Sequence, residues 1–114
     1  MSRETHPLMT QAKWALPPRV FIWAERMRVT PRAITICDTR SRWGSCSSKG
    51  RIMLCWRLIL MPEAVRDSII IHELGHLKHF NHSRDFWDFV DQFDTQRRHH
   101  QTWLKKNTAA LLAR

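Results

Sequence analysis

Apolar residues recur at Leu16, Val20, Trp23, Ala24 and Met27, the spacing of one helical face. Pro17 and Pro18 suit the first turn of that helix, where a missing N–H costs little. Thr30-Pro31 predicts its end. The first dozen residues are polar and mixed, which predicts a loosely held start. Residues 33–37 are β-branched and alternating, with Ile34 and Ile36 on one side. Residues 51–56 alternate again, Ile52, Leu54 and Trp56 sharing a face. Residues 39–50 are polar and hold Gly44 and Gly50, the mark of an irregular turn region with some strand. Together these stretches predict a small, mainly antiparallel sheet.

Pro62-Glu63 then reads as the first turn of a second helix, its acid well placed against the dipole. The run Ser68 to Leu77 is apolar on almost every side, so this helix is expected to be central and buried, reaching about His79. Ser83 resembles an N-cap for residues 84–93, where Phe86, Phe89, Val90 and Phe93 share one face. A more polar helix over about 96–113 carries Trp103, Leu104, Leu111 and Leu112. The order of elements predicts an α+β fold: a backing helix, a small sheet, the central helix and C-terminal helices.

With 114 residues, 43% of them apolar, the chain suits one compact domain and one core spanning residues 1–114. No apolar run approaches the ~20 residues that a bilayer requires. The first residues lack a signal-peptide pattern, so a cytoplasmic location and no membrane partner are expected. Cys37, Cys46 and Cys55 are an odd set without a C-x-x-C pair, which predicts free thiols rather than disulfides. The net charge of +9 admits non-specific nucleic-acid binding through a basic surface, and says nothing about fold.

The chemistry is concentrated in His72-Glu73-Leu74-Gly75-His76. Histidines four apart on a helix lie about 40° apart in rotation and one turn apart in rise, so both can grip one ion. Glu73 follows the first ligand and points beside the metal, where it can take a proton from a zinc-activated water. Two unpaired imidazoles in so apolar a segment would be costly, which favours a metal. Two histidines compete for third ligand. His79 lies about 10 Å along a straight helix from His72, too far to converge on one ion with bonds near 2.0–2.1 Å. A turn through Asn81 brings His82 back to the open side instead. The expectation is one zinc per chain on His72, His76 and His82, with Glu73 as general base.

The ordered series Arg42-Trp43-Gly44-Ser45-Cys46-Ser47, Trp56-Arg57-Leu58-Ile59-Leu60 with Pro62, the His72 motif, Asn81-His82-Ser83 and Phe86-Trp87 resembles the YgjP-like zinc metallopeptidase family. A more distant likeness is to the Wss1-like proteases. The resemblance implies a zincin-type fold, the same three histidine ligands, Glu73 as base, and a peptide or protein substrate. Cys55 stands where relatives often have asparagine. Alternative readings are a nucleic-acid-associated zinc protease of Wss1-like type, or a non-catalytic zinc-binding domain, whose fourth ligand His79 could supply.

Beyond the ligands, the chain has no tyrosine, so oxyanion donors are sought in Arg57, His99 or His100. Asp85 or Asp88 are candidates to orient a ligand imidazole. Residues 42–47 offer an edge strand on which an extended peptide can pair, and Trp43 is expected to pack against the central helix.

Overall fold

The computed structural model describes residues 7–114. Helix α1 spans Pro7–Met27 and buries Met9, Ala12, Leu16, Val20, Ala24 and Met27. It therefore begins nine residues before the expected Leu16, and Pro17 and Pro18 lie inside it rather than in its first turn. Met9 and Ala12 extend the buried stripe N-terminally, and their packing outweighs the hydrogen bonds that the two prolines delete. Of the twelve residues expected to be loose, residues 7–12 are helical and residues 1–6 lie outside those described. Arg28 ends α1 in a left-handed conformation at φ 58°.

Three strands follow, β1 (Ala33–Cys37), β2 (Gly44–Cys46) and β3 (Arg51–Cys55), in the spatial order β1-β3-β2. β2 and β3 form an antiparallel hairpin with Ser45 opposite Met53, turned through Gly50 at φ 80°. β1 runs parallel to β3, with Ile34 opposite Ile52 and Ile36 opposite Leu54. The sheet is thus mixed, not mainly antiparallel. Alternation reports which face a residue occupies, not the direction of its neighbour. Trp56 leaves the strand and opens a short 3₁₀ turn, Trp56–Leu60.

Helix α2, Glu63–Gly75, is the central element and buries residues on most of its sides, among them Ile69, Ile70, Ile71 and Leu74. α3 (Arg84–Asp91) and α4 (Arg97–Leu112) complete the α+β arrangement. Arg19 of α1 donates to Asp67 of α2 at 2.6 Å, a charge-assisted tie between the backing and central helices. The core joins the inner stripe of α1, Ile36, Ile52 and Leu54 of the sheet, and Phe86, Phe89 and Val90 of α3 around α2. Among the described residues no helix is long and apolar enough to cross a membrane.

Candidate metal centre

His72 and Glu73 lie in the last turn of α2, and His76 is the residue that ends it. The helix stops at Gly75, four residues short of the expected His79. Its final amides tighten to bonds three residues back, His76 to Glu73 at 3.2 Å and Leu77 to Leu74 at 3.0 Å. The chain then turns, and Ser83 caps α3 by accepting from the Phe86 amide at 3.3 Å. That turn returns His82 to the end of α2. One ring nitrogen from each of His72, His76 and His82 lies within 4.8 Å of the others, and His72 Nε2 is 3.3 Å from His82 Nε2.

An aromatic frame holds these rings. Phe86 is fully buried, stacks on His76 at 4.3 Å between centroids and meets His72 edge-on at 5.1 Å. Trp87 stacks on His82 at 5.5 Å. Gly75 permits this approach, because a Cβ there would sit 2.8 Å from Val90 Cγ2 and 3.0 Å from Phe86 Cε1. His76 Nδ1 donates to the His79 carbonyl at 3.1 Å, which leaves the lone pair on Nε2. The orienting partner sought in Asp85 or Asp88 is, for His76, this carbonyl. Both aspartates are exposed, and Asp88 faces Arg84 at 3.9 Å. The His79 ring turns away to pack against Phe89.

Burial, then the neighbouring His76, His82 and Arg97, pulls the His72 pKa down to about 4. Burial lowers His76 as well. Both imidazoles are therefore neutral, the form that binds a metal. Glu73 is 8% exposed, and burial pushes its carboxyl up to about 7 against the opposing pull of Arg42. Gly44 of β2 closes over it, since a Cβ there would meet Glu73 Cγ at 3.1 Å. An open groove of about 330 Å³ runs past Glu73 and the three histidines, walled by Arg42, Ser45, Cys46 and Phe80. A smaller recess of about 180 Å³ adjoins His72 and Glu73, where Trp43 faces Gln101 and Leu104 of α4.

A family model, the YgjP-like metallopeptidase domain, matches residues 5–107. The chain belongs to that family. The fold of this YgjP-like domain is similar to the crystal structure of the metallopeptidase zymogen of Pyrococcus abyssi abylysin. The TM-score is 0.68 and the identity 21%, over 78% of this chain and 91% of that one. No curated protein matches the chain.

The oxyanion donors sought in the sequence are elsewhere in the YgjP-like domain. Arg57 is buried, donates to Asp38 at 2.7 Å and to the Arg114 carbonyl at 3.0 Å, and packs over Trp56. His100 is buried against Asp94 at 2.9 Å, and Asp94 also accepts from Ser68. His99 is exposed beside the 91–98 segment. The three cysteines are free, Cys55 buried and the other two half-buried. Cys46 faces the groove, and burial with the Glu73 charge pushes its thiol up to about 11, so it is protonated at neutral pH. Phe80 is not marked as a site residue by the sequence, and Arg42 and Gly44 are marked only as part of the 42–47 edge strand. Their signal was faint: Arg42 and Gly44 stand in the run that carries the family resemblance, and Phe80 sits two residues before His82.

Proposed function

We propose that this YgjP-like domain is a zinc-dependent peptidase, with His72, His76 and His82 holding one ion and Glu73 serving as general base. What carries the reading is the convergence of three imidazoles within 4.8 Å beside one buried carboxyl. One pair already stands at ligand spacing: two ligands about 2.0–2.1 Å from a tetrahedral zinc lie roughly 3.3–3.4 Å apart, and His72 Nε2 and His82 Nε2 are 3.3 Å apart, with His76 within 4.8 Å to be drawn in by the ion. Three nitrogen ligands with a fourth position open to the groove is the donor count of a catalytic rather than a closed structural site. This argues against the non-catalytic reading, as does the His79 ring packed against Phe89.

Zinc, when bound, would polarise the scissile carbonyl and acidify a water. The chain's own residues do the rest. Glu73 accepts the proton from the attacking water at a carboxylate oxygen and delivers it to the leaving amine. A buried carboxyl beside the histidine cluster is placed for both halves of that transfer. Phe86 and Trp87 hold the imidazoles in place. β2 is an edge strand of the sheet, so an extended peptide can pair along it and lie across Glu73.

The test is metal analysis of purified protein with cleavage of a broad peptide mixture, beside Glu73→Gln. About one zinc per chain is expected in both proteins, with cleavage in the parent and a loss of at least about a hundredfold in the variant. No zinc uptake, or undiminished cleavage by zinc-loaded Glu73→Gln, would falsify the assignment.

A further inference from the structure

Arg42 is the one formal cation among the residues that wall the groove at the histidine cluster. It is exposed, and among the described residues its guanidinium has no ion pair or hydrogen bond. Other arginines of the fold are committed: Arg19 to Asp67, Arg57 to Asp38, Arg66 to Asp67, and Arg97 to both oxygens of Asp91. Arg97 also influences His72, but it is neutralised by Asp91 and covered by the Trp87 ring at 4.3 Å. Arg42 is therefore the cation at the mouth of the site without an ion-pair partner, felt across the groove by the buried Glu73.

The groove has one carboxyl, Glu73, and that group is 8% exposed, so it presents little negative surface to compete for Arg42. The opposite kind of surface is supplied by Phe80, which is 59% exposed although its ring lies 6.0 Å from His76. Arg42 stands two residues before Gly44, which opens β2. A peptide lying along that edge strand would pass the guanidinium within a few residues of the bond beside Glu73. A planar fork of donors suits a carboxylate, and a basic substrate side chain there would meet like charge.

We propose that Arg42 determines specificity by binding an acidic side chain of the substrate within two or three residues of the scissile bond, with Phe80 covering an apolar neighbour. This rests on the peptidase reading and names its substrate class: peptides carrying an acidic and a large apolar residue close together. Arg42 acts on the substrate side chain; because its charge also pulls on Glu73, the peptides are compared with one another within each variant.

The experiment uses peptide sets that differ only in Glu, Gln or Lys at each position flanking one cleavable bond, with zinc-loaded full chain. At one position at least, kcat/KM should favour Glu over Lys by about tenfold, the scale expected when attraction is exchanged for repulsion at a part-exposed site. Arg42→Glu should invert that order, Arg42→Lys should restore part of it, and the preference should shrink in high salt. Equal cleavage of the three peptides at every position, or an order unchanged by Arg42→Glu, overturns the proposal and leaves the peptidase reading standing. Binding of the same labelled peptides to zinc-loaded Glu73→Gln, read by fluorescence anisotropy, separates the two claims. Charge-selective binding that Arg42→Glu inverts supports Arg42 even if no peptide is cut, in which case it is the peptidase reading that fails. Charge-blind binding refutes the role of Arg42 whatever the cleavage result.

Discussion

His79 and His82 differ in what each offers the site, and substitution separates them. His82 brings a ring nitrogen to 3.3 Å from His72, whereas His79 contributes its backbone carbonyl, which alanine retains. His82→Ala should therefore weaken zinc binding by about a hundredfold or more, since loss of supporting groups alone costs roughly 10–100-fold. His79→Ala should change it by less than about threefold. Competition with a chelator on folded protein measures both, and metal loss in His79→Ala alone would reverse the assignment. Glu73 gives a second prediction, in metal-free protein. Its pKa is raised from 4.5 to about 7, so the stability it contributes is full below pH 4.5 and is lost as pH rises through 7. His72, lowered from 6.5 to about 4, contributes in the opposite sense: its stability is present above 6.5 and lost as pH falls through 4. The two slopes oppose each other between about pH 4.5 and 6.5. Glu73→Gln removes one of them, so its stability relative to the parent should improve by about 2 kcal/mol from pH 5 to pH 7.5. Urea unfolding in the presence of chelator reads this difference; a constant gap across the range would mean that Glu73 is not perturbed by burial.

At the scale of elements, the decisive contact is between α2 and α3. Phe86, whose full burial is worth about 2–3 kcal/mol, reaches the histidines because Gly75 lets the two helices close. Alanine at position 75 would gain roughly 1 kcal/mol of helix propensity. The same Cβ would stand 2.8 Å from Val90 Cγ2 and 3.0 Å from the Phe86 ring, neither of them the flexible end of a long side chain. Overpacking should win. Gly75→Ala is expected to destabilise by about 1–2 kcal/mol net and to weaken zinc binding, because Phe86 is pushed off His76. Denaturation midpoints with a metal titration test it; an unshifted midpoint would show that α3 slides without strain.

Over the whole molecule, Arg57 ties together segments that are distant along the chain. It joins Asp38 after β1, the turn that follows β3, and the carbonyl of Arg114 beyond α4. Arg40 binds the Leu112 carbonyl at the same end. α4 is thereby clasped at its C-terminal end while Gln101 and Leu104 wall the recess beside Glu73. Arg57→Met should cost about 2–4 kcal/mol, from lost charge-assisted bonds and a poorly filled site. It should also loosen α4, which hydrogen exchange of the 105–112 amides would report. Protection equal to that of the parent would place the hold on α4 elsewhere.

The sequence by itself determined the elements with strong period and singled out the three histidines that the fold brings together. β-branched alternation marked β1 and β3, unbroken apolar character marked α2 as central, and the spacing of His72, Glu73 and His76 follows from helical geometry alone. The turn to His82 was also legible, because a straight helix cannot bring His79 to the same point. What only the tertiary structure decided depends on contacts between segments remote in sequence. α1 absorbs two prolines because Met9 and Ala12 find the core, and no local rule contains that compensation. Strand direction was illegible because alternation assigns faces but not partners, so β1 could lie parallel to β3 unannounced. Arg57 and Arg42 are both arginines on the page. One is buried among Asp38, Trp56 and the end of the chain, and the other is left facing the groove, because burial belongs to the packed molecule and not to the residue type.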